Sequence, residues 1–325
     1  MHPKIRYIIW RLLLSIPAIF GIITFNFILL NMAPGDAADV LAGEAGAATP
    51  EFMAGLREQF GLNQPLYVQY VKYVWNIINL DLGYSFRFNA PVGNLIMQRL
   101  PATLLLMGTS LVLAVSFGIL LGVIAARFVD TIVDYSTMLL SLLWYSVPTF
   151  WVGLMMIIMF SVNLGWLPSS GIETLGASYT GVDRFVDIAQ HLLMPMVSLS
   201  LLYMGVYTRL MRASMLEVYG LDFVRTAHAK GLSPARVAFK HVLRNALFPV
   251  VTMAGLHVAG LLGGAVIVEV VFSWPGLGRL AVDAVFTRDY NLLLSILVLS
   301  SVLVIAVNIM VDILYTFLDP RVEAR

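Results

Sequence analysis

Basic side chains are concentrated in one stretch of the sequence, Glu217–Pro249, within a chain that is otherwise mostly apolar. A basic, polar segment between two long hydrophobic segments does not lie in lipid, because charged groups are costly there. The segment therefore faces water, and its cations favour a partner surface over a solvated loop that only sets topology. These cations are Arg225, Lys230, Arg236, Lys240 and Arg244.

Helix-breaking residues divide this stretch in two. Asp222 is a good N-cap, and Gly231 suits the C′ position just past the end of a helix. Ser233-Pro234 follows as an N-cap with proline at N1. The predicted segments are a short helix at about Asp222–Lys230, a tight turn, and a second helix over Pro234–Phe248.

The sequence contains no recognisable catalytic or nucleotide-binding motif. No Gly-Lys pair exists, which excludes a Walker-type phosphate loop, and no GxSxG elbow occurs. The histidines form no HExxH motif and no pair at metal-ligand spacing on one helix. Cysteine is absent, which excludes disulfides, thiolate metal sites and cysteine nucleophiles. We therefore predict no catalytic residues, metal site or cofactor, and any energy source lies in another chain.

Three ionisable residues stand inside apolar segments, where a charge costs about 2.5–3.5 kcal/mol unless it meets a cavity or a partner. His257 could line a central translocation path, although a neutral histidine bonded to a neighbouring helix is the favoured interpretation. Glu269 could meet a cationic substrate group, but pairing with Arg279 or with another subunit is at least as well supported. Asp312 is interpreted as the structural partner of a basic residue.

The composition defines the class of fold. Hydrophobic residues make up 59% of the chain and charged residues 12%, and several apolar runs are long enough to cross a bilayer. The formal net charge of +1 gives no reason to expect nucleic-acid binding. The first apolar run exceeds a signal-peptide core, so we predict an uncleaved span. The six predicted spans of this all-α polytopic membrane protein are Ile8–Leu30, Pro101–Ala126, Tyr135–Val162, Ile188–Thr208, Leu247–Phe272 and Leu292–Tyr315.

The segment between the first two spans has a different character. Acidic residues outnumber basic ones there, and helix starts at Thr49-Pro50 and Pro65 predict a small extramembrane domain of short helices. The spacing of Leu66, Tyr70 and Tyr73 predicts one packed face. The predicted divisions are 1–30 (N-terminus and first span), 31–100 (extramembrane domain), 101–315 (core with the 209–246 loop) and 316–325 (tail).

Two features predict how the spans pack. Pro148 predicts a kink near the middle of the third span. Small-residue spacing predicts close helix contacts at two places, Gly118–Gly122 and Gly260–Gly263–Gly264.

Basic residues are distributed unevenly among the loops. The two short loops on one side hold only Arg184, Arg279 and Arg288, whereas most Lys and Arg lie on the other side. The positive-inside rule then predicts that both termini and the 209–246 loop are cytoplasmic and that residues 31–100 are extracytoplasmic. The segments predicted to be cytoplasmic are residues 1–11, about 127–134, 209–246 and the tail from Thr316.

A set of short stretches carries a family resemblance over nearly the whole chain. Each is a weak signal alone, but their combined order and spacing are specific. In them the chain resembles the B-type permease subunit of dipeptide and oligopeptide ABC importers, which implies the type I importer permease fold. The stretches are RYIIWRLLLSIP (Arg6–Pro17), MAPGD (Met32–Asp36), FGLNQPLYVQY (Phe60–Tyr70), DLGYS (Asp81–Ser85), RLPATL (Arg99–Leu104), FVRTAHAKGL (Phe223–Leu232), RNALFPVVT (Arg244–Thr252), FSWPGLGR (Phe272–Arg279) and LDPR (Leu318–Arg321).

The resemblance implies a role for the short basic helix. Arg225-Thr226-Ala227 and Gly231 match the Glu-Ala-Ala–three–Gly signature of importer permeases, whose coupling helix docks in a groove of an ATP-binding subunit. Arg225 replaces the glutamate, and His228 stands where many relatives have arginine. The implied ATPase-coupling residues are Asp222, Arg225, Thr226, Ala227, His228, Lys230 and Gly231, and the implied translocation-path residues are His257 and Glu269.

The resemblance also implies partners. These are a homologous C-type permease, two ATP-binding subunits that bind ATP and Mg, and an extracytoplasmic solute-binding protein, beside membrane lipid. A separate hypothesis assigns residues 31–100 to the docking surface for the binding protein. Related permeases carry nickel chelates, glutathione, opines or oligosaccharides, so these cargoes stay open beside peptides. A stand-alone secondary transporter with an ion relay through His257, Glu269 and Asp312 is a competing hypothesis, and a membrane-embedded enzyme is the least supported one.

Overall fold

The computed structural model describes residues 3–32, 49–59 and 63–318, and most of them are helical. A two-stranded antiparallel hairpin pairs Tyr84 with Pro91 and Ser85 with Ala90. The helices are α1 (Pro3–Met32), α2 (Pro50–Gln59), α3 (Leu66–Ile78), α4 (Val92–Arg127), α5 (Ile132–Ser146), α6 (Thr149–Met156), α7 (Gly181–Tyr219), α8 (Asp222–Ala229), α9 (Pro234–Arg236), α10 (Leu243–Val271), α11 (Leu277–Phe286) and α12 (Tyr290–Leu318). The strands are β1 (Tyr84–Ser85) and β2 (Ala90–Pro91), and π-helical segments occupy Ile157–Asn163 and Val237–Val242.

Within the described residues, four helices are long and apolar enough to cross a membrane, namely α1, α4, α7 and α12. Two bent helix pairs, 132–163 and 234–271, raise the number to six if each pair counts as one span. The predicted helical, multi-pass fold class is therefore confirmed, whereas the count of six spans stays a prediction.

Proline produces a sharper break in the third predicted span than the expected kink. The helices on either side of Val147-Pro148 are bent by 99°. Val147 is extended (φ −83°, ψ 129°) because the following proline ring disfavours helical backbone, and Pro148 itself begins the next helix as its N-cap. The predicted single span is thus two helices.

The chain divides into two compact units, residues 1–101 with 280–325 and residues 102–279. In the first unit, α1 and α12 pack along each other, and α3 packs on both through a small apolar cluster centred on Ile23, Val74 and Val298. Burial raises the pKa of Tyr73, at the edge of this cluster, to about 12. The domain division expected from the sequence was based on topology and stays a prediction.

Ser85 and Asp289 connect the hairpin of the first unit to the start of α12. The Ser85 hydroxyl donates to the Asp289 carboxylate, which also accepts the Leu292 backbone N–H at 3.1 Å. The Asn291 amide donates to the Leu82 carbonyl at 3.2 Å. These bonds give a structural purpose to the DLGYS stretch, whose Ser85 is fully buried.

In the second unit, α7 packs against α5, α6 and α10 around a large apolar core. Glycines permit the closest approaches: a Cβ at Gly118 would lie 2.5 Å from the Tyr207 Cβ, and one at Gly122 would lie 2.6 Å from the Met211 Cβ. The predicted close contact at Gly118–Gly122 is confirmed. The close helix contact predicted at Gly260–Gly263–Gly264 is wrong at Gly263, where an added Cβ would meet nothing within 4 Å.

Candidate functional site

The start of the short basic helix α8 differs from the prediction. Leu221 is the extended N-cap residue (φ −79°, ψ 148°), and Asp222 is the first helical residue. The Asp222 carboxylate is almost fully exposed and lies 3.6 Å from the Arg225 guanidinium one turn later. Asp222 therefore contributes a favourable negative charge to the first turn rather than a capping hydrogen bond.

The end of α8 is a Schellman motif, which confirms the predicted helix end. The Gly231 N–H donates to the His228 carbonyl at 2.9 Å, and the Leu232 N–H donates to the Ala227 carbonyl at 3.4 Å. Gly231 adopts φ +75°, a left-handed conformation that side chains with a branched Cβ disfavour. The turn after α8 thus depends on glycine at this position.

The two faces of α8 have different surroundings. Val224 (2% exposed) and Ala227 (5% exposed) point into the apolar core, in the same cluster as Val237 and Val242 of the following π-helical segment. Ala227 was predicted to contact the ATPase, but its burial makes it a spacer between α8 and its own chain. The exposed face carries the remaining predicted coupling residues, together with Phe223.

The helix after the turn runs past Phe248 into the fifth predicted span, as predicted, and bends by 47° between Val258 and Gly260. Ser233 is the N-cap and Pro234 is at N1, also as predicted. One face of this helix is a fully buried stripe of four residues, Val237, Val242, Ala246 and Val250. Val237 and Val242 are five residues apart because the π turn lies between them, and hydrogen bonds in a π turn join residues five apart. Val242, Ala246 and Val250 follow at intervals of four residues, which fit an α-helix. The π turn therefore keeps one face directed at the core.

An ion pair that the sequence did not predict joins α5 and α7. The Arg212 guanidinium donates two hydrogen bonds to the Asp134 carboxylate, each 2.6 Å long. The Asp134 side chain is 1% exposed and that of Arg212 is 24% exposed. One turn away, the Arg209 guanidinium donates to the Ser141 carbonyl at 3.0 Å. The sequence did contain a signal for this ion pair. Two arginines three residues apart and one acidic residue lie at the edges of apolar segments.

His257 is bonded to a neighbouring helix, which was the favoured interpretation. Its Nδ1 atom lies 3.1 Å from the Tyr207 hydroxyl, and its ring packs 5.1 Å from that of Tyr203 and 5.5 Å from that of Tyr207. Both tyrosines belong to α7. The histidine therefore links α10 to α7.

Glu269 is enclosed by its own chain, so the structure argues against its predicted place in a translocation path. Its side chain is 0% exposed. The Thr103 hydroxyl donates to one carboxylate oxygen at 2.6 Å, and the Arg279 backbone N–H donates to the other at 3.0 Å. The Arg279 guanidinium instead donates to the Ser273 carbonyl at 2.6 Å, so no ion pair with Glu269 forms.

The FSWPGLGR turn supplies the enclosure around Glu269. A Cβ at Gly276 or Gly278 would collide with the carboxylate, so both glycines are needed for the close approach. The Trp274 indole N–H donates to the Ala102 carbonyl at 2.9 Å and ties the turn to α4. Glu269 is thus a structural anchor between α10, α4 and this turn.

The described residues contain no cluster of His, Cys, Asp and Glu that could hold a metal ion. The side chain of Asp312 lies outside the described residues. The arrangement as a whole offers no reaction chemistry. It offers an exposed helix whose buried face and following helix connect it to the core of the second unit.

Comparison with known proteins identifies this helical, multi-pass protein as a membrane transport permease. Residues 118–324 match the family described as "Binding-protein-dependent transport system inner membrane component", and residues 4–107 match "Binding-prot-dependent transport system membrane comp, N-term". The chain belongs to this family.

Similar proteins cover the whole chain. The chain is 44% identical over 322 residues to the oligopeptide transport system permease protein AppB of Bacillus subtilis (strain 168), with 98% of this chain and 99% of that protein covered. It is 42% identical over 335 residues to the di/tripeptide transport system permease protein DppB of Pseudomonas aeruginosa (strain UCBPP-PA14), with 98% and 99% covered. The dipeptide transport system permease protein DppB of Escherichia coli (strain K12) is 38% identical over 338 residues, with 99% of each covered.

A solved structure supports the fold. The inward-facing MetNI methionine ABC transporter contains a chain that superposes with a TM-score of 0.56 at 18% identity, covering 69% of this chain and 96% of that one. At this identity the likeness shows the fold alone.

Proposed function

We propose that this chain is the transmembrane permease subunit of an ATP-driven importer for dipeptides and oligopeptides. The observation that carries the proposal is its similarity, over 98% of its length, to relatives named as peptide permeases. A solute-binding protein delivers the peptide, and a homologous C-type permease forms the other half of the path. Nickel chelates, glutathione, opines and oligosaccharides are the alternative cargoes for the same mechanism.

The exposed face of α8 is the proposed docking surface for an ATP-binding subunit. The chain has no phosphate-binding loop of its own, so ATP and Mg bind to the partner ATPases. Thr226, His228 and Lys230 are exposed on this helix, as are Asp222 and Arg225. They are the side chains proposed to contact the ATPase, whereas Val224 and Ala227 hold the helix against its own chain.

Transport follows from movement of α8 with the helix that succeeds it. ATP-driven closure of the ATPases shifts α8, and the buried stripe from Val237 to Val250 carries that shift into α10. The path then alternates between inward-open and outward-open states. Nucleotide acts only through its different affinity for these two states. His257 and Glu269 are bonded within the chain, which does not favour an ion relay.

Uptake by the reconstituted complex tests this function. The chain is co-purified with its proposed partners, a C-type permease, the ATPases and a binding protein, and is placed in liposomes. We expect ATP-dependent accumulation of a labelled dipeptide that unlabelled peptides compete away. Competition by nickel chelate, glutathione, opine or oligosaccharide instead would replace the cargo, and ion-driven uptake by this chain alone would refute the ATP-coupled mechanism.

The turn at Gly231 provides a test of the coupling role. Gly231→Val places a β-branched residue at φ +75°, at a cost of about 1–3 kcal/mol. An added Cβ would meet nothing within 4 Å, so this cost comes from the backbone and not from a clash. We expect the variant to insert in the membrane but to lose uptake relative to ATP hydrolysis.

The matched control is Gly231→Asn, because asparagine tolerates the left-handed conformation. We expect it to keep coupled uptake, measured as labelled peptide imported per ATP hydrolysed. Normal substrate-stimulated ATPase activity together with normal uptake in Gly231→Val would show that this turn does not control coupling.

A further inference from the structure

Helix α3 packs against α1 at a level within the membrane-spanning part of α1. The Tyr70 hydroxyl and the Thr24 hydroxyl are hydrogen bonded at 2.7 Å. The Tyr70 ring lies 5.3 Å from that of Phe27 and 6.5 Å from that of Phe20. The candidate span of α1 runs from Ile9 to Met32. At 1.5 Å per residue, Thr24 is about 12 Å inside its carboxyl end.

The contact between α3 and α12 independently places α3 at the same depth. Val298 and Val302 pack in the same apolar cluster as Val74 of α3. The candidate span of α12 begins at Tyr290, so these valines lie about 12 Å and about 18 Å inside that span. Two spanning helices therefore hold α3 well below their ends, although α3 is too short to cross a bilayer.

The remaining circumference of α3 is divided between apolar and polar side chains. Tyr67, Val71, Trp75 and Ile78 recur at intervals of four, four and three residues and so form one stripe. All four are exposed, Trp75 to 65%. Beyond this stripe lies a narrow polar one, formed by Lys72, Asn76 and Asn79, which are also exposed.

This division matches a helix that lies in a membrane interface. Such a helix directs its apolar flank at acyl chains and its polar stripe at headgroups and water, and tryptophan, tyrosine and lysine are favoured at that boundary. On α1, Phe20 and Phe25 are also exposed apolar residues, to 47% and 60%.

We infer that α3 is an interfacial helix embedded in the leaflet next to the carboxyl end of α1, with Tyr67, Val71, Trp75 and Ile78 in contact with lipid. The segment 31–100 is then only partly an extramembrane domain. This inference needs only that α1 and α12 span the membrane, so it is independent of the proposed cargo.

Single cysteines provide the test, because the natural sequence has none. Val71→Cys and Trp75→Cys place a nitroxide spin label on the apolar stripe, and Lys72→Cys and Asn76→Cys place it on the polar stripe. All four positions are exposed, so the label does not disturb the core. The full chain, in its importer complex, is reconstituted in lipid nanodiscs of phosphatidylethanolamine and phosphatidylglycerol.

Power saturation compares the access of oxygen, which concentrates in lipid, with that of a water-soluble nickel chelate. Phe25→Cys on α1 is the lipid reference, and Leu175→Cys, at a 98% exposed position, is the aqueous reference. We expect labels at 71 and 75 to resemble the lipid reference, with severalfold greater oxygen access than nickel access. Labels at 72 and 76 should show the reverse order.

Two outcomes would overturn the inference. Nickel access at 71 and 75 equal to that at 175 would put α3 in water. Low access of both reagents there would show that protein covers the stripe, either a partner subunit or another part of this chain. Quenching by brominated lipids of a fluorophore attached at Val71→Cys supplies a second measurement, and absence of quenching would likewise overturn it.

Discussion

At the scale of single residues, the charged groups within the helices serve structural contacts of three kinds. Asp134 is paired with a cation, Glu269 is enclosed by hydroxyl and backbone donors, and His257 is bonded to a tyrosine. Each arrangement removes the cost of an unsatisfied polar group in an apolar environment. Their types could be recognised from the sequence, but their partners lie tens or hundreds of residues away, and no local pattern encodes those pairings.

The ion pair between Asp134 and Arg212 contributes to stability because its carboxylate is only 1% exposed. Asp134→Asn leaves Arg212 without its partner, and we expect a loss of about 3 kcal/mol in the free energy of unfolding, because breaking a buried pair strands a charge. Thermal unfolding in detergent measures it. The double variant Asp134→Asn/Arg212→Gln should lose less than the sum of the two single variants.

Glu173 and Arg184 offer a matched control, since their ion pair is exposed (46% and 58%) and has an N–O distance of 3.1 Å. Glu173→Gln should cost no more than about 1 kcal/mol. Equal losses at the two acidic positions would contradict the argument from burial.

At the scale of elements, the ends of α8 are set by local sequence, whereas its buried face is set by tertiary packing. The ends of α8 follow from glycine and proline placement, so the sequence located the helix within one or two residues. Which face is buried depends on the π turn at 237–242, which shifts the following stripe by one residue and brings Val237 against Val224 and Ala227 in one cluster. The sequence contained no clear signal for that turn. Ala227 was therefore assigned to the docking surface although it faces inward.

Adjacent residues of α8 should separate docking from folding. The Arg225 side chain is 77% exposed, so Arg225→Ala should change stability by less than about 0.5 kcal/mol yet weaken association with the ATPase. Val224→Ala removes buried methyl groups and should cost about 2 kcal/mol.

Co-purification of the ATPase and thermal unfolding measure the two effects. If Arg225→Ala binds ATPase normally, this part of the exposed face does not dock. If Val224→Ala is as stable as the unmodified protein, the packing assigned to α8 is wrong.

At the scale of the whole molecule, the chain forms two compact units whose boundaries do not follow the order of the predicted spans. The first unit combines the beginning and the end of the sequence, and α1 with α12 forms its framework. This pairing joins segments more than two hundred residues apart. It rests on side-chain fit between two apolar helices, which hydropathy alone does not distinguish from other pairings.

The orientation of the chain in the membrane is a prediction of the positive-inside rule. Val129 lies in the 127–134 loop, which is predicted to be cytoplasmic, and Leu175 lies in a loop predicted to be extracytoplasmic. Both side chains are exposed. In intact cells, a membrane-impermeant thiol reagent should label Leu175→Cys and should label Val129→Cys only after permeabilisation. The reverse pattern would invert the proposed topology.

The sequence by itself determined the membrane class, the helix ends around Gly231 and Pro234, the break near Pro148 and the family resemblance. These depend on hydropathy, on local backbone preferences and on ordered motifs, all of which act over short stretches. Tertiary structure decided the partners of Asp134, His257 and Glu269, the inward face of α8 and the depth of α3. Those outcomes require segments distant in the sequence to meet, and the free energy of their packing is a property of the assembled helices rather than of any one of them.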